Sequence, residues 1–136
     1  MKRYLLDTNA VIAMLNDAHS RVALAARRHS PAALCISSIA SHELFYGAFK
    51  SIRSDRNVAL IDKLPLEIVD FDKEDARMAG HLRARLAAAG TPIGPCDILV
   101  AGQAMSRKMT LITHNVAEFS RIPGLLIDDW EVLPEP

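Results

Sequence analysis

The chain has 136 residues, half of them apolar, which suits one compact domain with a real core and excludes two ordinary domains. Lysine plus arginine equals aspartate plus glutamate at 16 each, so no global field draws the chain to nucleic acid or membrane. Any such binding has to come from local basic groups or a bound cation. Cys35 and Cys96 form no CxxC pair and sit in apolar settings, where a free thiol behaves as a small hydrophobe. The apolar run after Met1-Lys2-Arg3 stops at Asp7, too short for a signal peptide, and no stretch is long enough to span a bilayer. The expectation is a soluble cytoplasmic protein with reduced cysteines and no membrane partner.

Tyr4-Leu5-Leu6 reads as a buried inner strand that ends by presenting Asp7. Ala10 to Leu15 follows as an apolar helix, with Thr8 or Asn9 as its N-cap. Asp7 then has two readings, a helix cap or a carboxylate at the edge where parallel sheets place their chemistry. Ser20 to Arg28 predicts a short second helix, and Ala33 to Ile36 a second strand. Ser37 or Ser38 caps a long helix through Ile39, Leu44, Phe45, Phe49 and Ile52, whose apolar residues spread round the wheel and predict burial on most sides. Glu43 lies inside that helix, on a stripe with Ile39 and Gly47. An isolated buried charge is costly, so Glu43 faces either Lys50, two turns on, or a cation.

Ser51 to Asp62 predicts an exposed amphipathic helix, and Glu67 to Phe71 a third strand. Asp72 caps a helix from Lys73 to Ala89 that Gly90 ends. Asp70, Asp72, Glu74 and Asp75 at its start favour the helix dipole and are assigned no chemistry. Pro95 opens a mostly apolar helix to Met105, with Asp97 in its first turn. Thr110 to Thr113 is the fourth strand, His114 to Phe119 turns out of its end, Leu125 to Ile127 is the fifth, and residues 133–136 are a frayed tail. Strands alternating with helices predict a three-layer α/β fold about a parallel sheet of about five strands.

Asp7, Glu43 and Asp97 are the acids set within apolar segments. Gathered at one sheet edge without a nearby Lys or Arg, they would repel unless a divalent cation lay between them. All-oxygen ligands favour Mg²⁺ or Mn²⁺, and hence metal-dependent phosphoryl or phosphodiester chemistry.

Leu6-Asp7-Thr8-Asn9, Ser41-His42-Glu43-Leu44, Ile93-Gly94-Pro95-Cys96-Asp97 and Leu111-Ile112-Thr113-His114-Asn115 with Glu118-Phe119 resemble, in order and spacing, the PIN-domain nucleases. They look most like the VapC toxins of bacterial toxin–antitoxin pairs. The tail from Ser120 to Leu125, ending Asp128-Asp129-Trp130, is similar to the subgroup that cuts initiator tRNA. The resemblance runs from Lys2 to about Val132 and implies a PIN domain over residues 1–136. It implies that Asp7, Glu43 and Asp97 bind one or two Mg²⁺ or Mn²⁺ ions, and that an activated water cuts RNA to leave a 5′-phosphate and a 3′-hydroxyl. Thr8, Asn9 and Thr113 would hydrogen-bond the carboxylates or that water. Where the family often carries a fourth acid this chain has Asn115, a catalytic candidate beside Glu118, which can substitute for the acid one turn later. The resemblance also implies a homodimer and a VapB-type antitoxin whose tail occupies the active-site groove. Lys50, Arg53, Arg56, Arg83, Arg85, Arg107 and Lys108 are candidates to hold RNA phosphates.

A haloacid-dehalogenase-type phosphatase needs a second Asp where Asn9 stands, and the five histidines lack the spacing of a zinc site. The alternative from another class is a PIN fold that binds RNA or a partner without cutting.

Overall fold

The computed structural model describes residues 2–132, so the frayed tail expected at 133–136 lies outside the described residues. The strands are β1 (Tyr4–Leu6), β2 (Leu34–Ser37), β3 (Glu67–Val69), β4 (Thr110–Ile112) and β5 (Ile127–Asp128). The helices are α1 (Thr8–Asn16), α2 (Arg21–Ala26), α3 (Ser38–Phe49), α4 (Ser54–Asp62), α5 (Lys73–Ala88), α6 (Pro95–Ser106) and α7 (Val116–Phe119). All strand pairs are parallel, in the order β3-β2-β1-β4-β5, with Leu6 beside both Ile36 and Ile112.

Side chains alternate across a strand, and β1 uses that alternation to join two cores. Leu5 points with Cys35, Val69 and Leu111 into the layer packed by α5 and α6. Leu6 points with Ile36 and Ile112 into the layer of α1, α2 and α3, where Trp130 also packs. Both leucines are fully buried, each burial stabilising by about 1.5–3 kcal/mol. Because the chain runs from β1 out to β3 and returns to β4 on the other side of β1, the order reverses between β1 and β4. In an open α/β sheet the crevice beyond the carboxyl ends of such a strand pair is where ligands bind.

Several local expectations are revised. The cap of α1 is Asp7, not Thr8 or Asn9: its Oδ1 accepts from Ala10 N–H at 2.8 Å. α4 begins at Ser54 and β3 stops at Val69, because the Phe71 N–H leaves the ladder to donate to Ser38 Oγ. β5 sits later than expected, pairing through Ile127 and Asp128. α3 is not buried on most sides: Ala40, Ser41, Leu44 and Ala48 face inward, while Tyr46 and Phe49 are 64% and 67% exposed and Ile52 beyond it is open. The main packing partners of α3 among the described residues are the sheet, α1, α4 and α6, and Tyr46 and Phe49 lie on the face turned away from them.

The acids at the start of α5 also do more than meet a dipole. Asp75 is wholly buried and closes a capping box with Asp72. Its carboxylate accepts from Ser106 Oγ, Gln103 Nε2 at 3.3 Å and the Arg107 guanidinium at 2.9 Å. Burial alone would raise its pKa, but the bonds from Arg107, Ser106 and the Asp72 N–H outweigh that and hold it at about 2. Arg107 is thereby spent on Asp75 and Asp72, and is withdrawn as a phosphate ligand. The same helix pair touches backbone to backbone, since a Cβ on Gly102 would meet Ala79 Cα at 2.6 Å.

Candidate active site

Asp7 leaves β1 at the switch point, anchored by its N–H to Ile112 O at 3.0 Å and by Oδ1 as the cap of α1. One carboxylate oxygen is therefore fixed by the fold. Thr113, just past β4 and buried, accepts the Asn115 N–H at 3.0 Å, and its hydroxyl lies close enough to Asp7 to oppose the rise in that carboxyl's pKa. Burial raises the Asp7 pKa; the Thr113 hydroxyl and the bond from Ala10 N–H oppose it, and the charges of Glu131 and Glu43 add to the rise.

Glu43 is half-buried on α3 and accepts from Thr8 Oγ1 at 3.1 Å, so the residue after Asp7 orients the second acid. The local ion pair with Lys50 does not form: Lys50 Nζ lies over the Tyr46 ring, 4.8 Å from its centroid. Asp97 comes in from the first turn of α6, where the dipole should favour its charge. Its pKa is nonetheless pushed up to about 6, first by burial, then by the charges of Glu118, Glu43 and Asp7. Glu118 is the fourth carboxylate. Its Oε1 accepts from Gly94 N–H at 3.0 Å and its Oε2 from Asn115 Nδ2, and these bonds lower its pKa.

The geometry thus joins Asp7, Glu43, Asp97, Glu118, Thr8 and Thr113 at one edge, and it engages Asn115 through Glu118. Asn9 is exposed on α1 and makes no side-chain hydrogen bond among the described residues. Gly94, part of the Ile93-Gly94-Pro95-Cys96-Asp97 motif, has a specific role in the site. Its N–H holds Glu118, and a Cβ there would stand 3.2 Å from Asp97 Oδ2. The pattern Gly-Pro before a helix carrying Asp97 was the available signal.

No Lys or Arg forms an ion pair with any of these acids among the described residues. Asp7, Glu43 and Asp97 stand looser than the trio of ligand groups whose atoms all lie within 4.8 Å elsewhere in the chain. The donor set fits a hard divalent cation, because it is all oxygen, half-buried and electrostatically uncompensated. Beside it, a cavity of about 300 Å³ runs between α1, α3 and α4, with Glu43 at one end and Ile12, Leu15, Leu44, Leu60 and Ile61 among its walls. Both cysteines are free, and burial pushes both thiols up, so neither is an activated nucleophile.

Comparison with known proteins agrees with this architecture. Residues 4–125 match the PIN domain family model. The chain is 40% identical over 132 residues to the tRNA(fMet)-specific endonuclease VapC of Salmonella typhimurium, covering 96% of this chain and 99% of that one. It is 35% identical over 134 residues to Ribonuclease VapC2 of Rickettsia felis, covering 94% and 98%. Among solved structures it superposes on the DNA-bound VapBC of Salmonella typhimurium with a TM-score of 0.90 at 40% identity, covering 96% of this chain and 99% of that one. VapBC2 of Rickettsia felis bound to a promoter DNA fragment follows at 0.87 and 34%, covering 93% and 98%. The chain belongs to the PIN-domain family, in its VapC branch. Among the described residues no helix is long and apolar enough to cross a membrane.

Proposed function

We propose that this chain is the toxin of a toxin–antitoxin pair, a single PIN domain that cuts tRNA, initiator tRNA foremost, with a divalent cation, Mg²⁺ or Mn²⁺. The observation that carries the reading is Asp97: a carboxyl raised to about 6 by burial and by Glu118, Glu43 and Asp7, with no basic side chain to relieve it. The substrate class rests on the likeness, across nearly the whole chain, to a relative named as a tRNA(fMet)-specific endonuclease.

Asp7, Glu43 and Asp97 would hold the cation, with Glu118 beside Asp97. When bound, the ion supplies a water-derived nucleophile at neutral pH and neutralises charge on the phosphoryl oxygens. The chain's own residues set the geometry. Ala10 N–H holds one oxygen of Asp7. Thr8 aims Glu43, and Gly94 and Asn115 aim Glu118. Cleavage in line would leave a 5′-phosphate and a 3′-hydroxyl.

Arg83 and Arg85 suit the RNA backbone, because α5 and α6 pack antiparallel with Asp75 against Ser106 and Gly102 against Ala79. In that register the exposed Arg83 and Arg85 would lie nearer the end of α6 that holds Asp97, where they would meet RNA phosphates. Lys50 and Arg53 are exposed near the end of α3 and complete the basic set. The apolar cavity ending at Glu43 would seat a segment of a VapB-type antitoxin, and the open face of Tyr46, Phe49 and Ile52 would be covered in the homodimer or the complex. The solved structures this chain superposes on are VapBC assemblies.

The test incubates purified, antitoxin-free protein with total tRNA under Mg²⁺, Mn²⁺ or EDTA, beside Asp7→Asn. Cleavage of one tRNA that requires metal and disappears in the variant is expected. A folded, metal-loaded protein that cuts no RNA in a broad panel would instead favour a binding module.

A further inference from the structure

Away from the acids of α3 and α6, three side chains aim at one point. His114, one residue past Thr113, places Nδ1 2.9 Å from Asp129 Oδ2 and 3.1 Å from Glu131 Oε2. These ligand atoms all lie within 4.8 Å of one another, the one such trio of His, Cys, Asp or Glu among the described residues. We propose that His114, Asp129 and Glu131 form a second cation site, selective for an ion that accepts imidazole as well as carboxylate, with Zn²⁺ the best match.

The charge count favours it. Two carboxylates share one imidazole, no Lys or Arg pairs with them among the described residues, and even a protonated His114 leaves the trio net negative. A divalent ion in place of the shared proton, bound by neutral imidazole, brings the trio to zero. The spacing favours it too, since ligands at tetrahedral zinc distances stand about 3.3 Å apart, so the 2.9 and 3.1 Å edges need only a small opening. The donor set of one nitrogen and two oxygens leaves a fourth position for water, and imidazole makes it softer than the all-oxygen edge at Asp7.

The scaffold is held within itself, Asp129 Oδ1 accepting the Glu131 N–H at 2.9 Å, and from outside the trio, where Arg21 Nη1 donates to Glu131 O at 3.2 Å and Trp130 Nε1 donates to Asp128 Oδ2 at 3.1 Å. Trp130 itself is stacked on His29 with centroids 5.0 Å apart, so the segment's position does not depend on the trio. Because the Glu131 charge reaches Asp7, an ion here would also remove a negative charge from the rim that RNA phosphates must approach.

Trp130 is the only tryptophan and lies between Asp129 and Glu131, so it reports the site without any RNA. The experiment titrates ZnCl₂ into the full-length protein, following Trp130 emission and the zinc retained on equilibrium dialysis. Wild type, Asp97→Asn, His114→Ala and the near-isosteric Glu131→Gln are compared, with circular dichroism to confirm the fold. The expected result is a saturable Trp130 response kept in Asp97→Asn and lost in His114→Ala and Glu131→Gln, each with one fewer zinc retained. An equal response and equal zinc in wild type, His114→Ala and Glu131→Gln would overturn the proposal, as would loss of the response in Asp97→Asn alone. Neither readout uses RNA cleavage, so the result is independent of the nuclease reading.

Discussion

Asp97 and Glu118 stand as neighbouring carboxyls on either side of Gly94, although one arrives on α6 and the other on α7. Their pKa values move apart: Asp97 rises to about 6, while Glu118 is lowered by Gly94 N–H and Asn115. Of the two, Asp97 is therefore the one that takes up a proton first as pH falls toward 6, while Glu118 stays charged.

That arrangement fixes the sign of a pH effect. A folded Asp97 pKa of about 6 against an ordinary 3.8 means that the native state binds more protons between those values. Its contribution to stability is therefore lost as pH rises through that window. Cation-free Asp97→Asn should melt above wild type at pH 7.5, by roughly 2–4 °C, while the stabilisation by Mg²⁺ or Mn²⁺ seen in wild type should fall away. Differential scanning calorimetry with and without metal reads both. A variant melting below wild type would sink this account of Asp97.

Asp7 is both cap and candidate ligand, and two substitutions separate the roles. Asn retains an oxygen for Ala10 N–H, whereas Ala does not. Asp7→Ala should cost about 1 kcal/mol of stability by urea unfolding and Asp7→Asn much less. Both should reduce cleavage beyond the roughly 10–100-fold typical of an outer contact. Equal unfolding midpoints for the two would mean that the cap contributes nothing.

The supporting contacts should show a smaller, graded loss. Thr8→Val frees Glu43, and Asn115→Ala frees Glu118. Each should lower cleavage by about 10–100-fold and weaken metal binding in calorimetric titration, with little change in melting temperature. Wild-type rates in both would place these side chains outside the working site.

Asp75 predicts an acid limb of stability. With its pKa held at about 2 against 3.8, its contribution is present above the ordinary value and lost as pH falls toward 2. Asp75→Ala leaves Arg107, Ser106 and Gln103 without their shared acceptor and should cost about 3 kcal/mol at pH 7. Urea midpoints from pH 7 down to 2.5 should converge for the two proteins. A constant gap across that range would place the effect in packing, not charge.

The main architecture was legible because β1 and its neighbours bury nearly continuous apolar runs, and Asp7, Glu43 and Asp97 interrupt such runs. Glu118 and Gly94 were harder, since their meaning lies in a contact across 24 residues that no local pattern encodes. The burial of Asp75 was not legible because an acid in a first helical turn is ordinary by sequence; only packing against α6 buries it. The open face of α3 escaped for the opposite reason. Apolar residues round a helical wheel state what should be covered, not whether this chain supplies the cover.

Gly102 carries a consequence for judging any close relative of this chain. The axis that bears Asp97 seats directly on Ala79, so one added methyl at 102 meets backbone with nowhere to go. Such a protein would keep every acid in its alignment column and still have the helix that bears its counterpart of Asp97 displaced. An inventory of carboxylates would score it as a living enzyme; the fit between α5 and α6 would reveal a silent one.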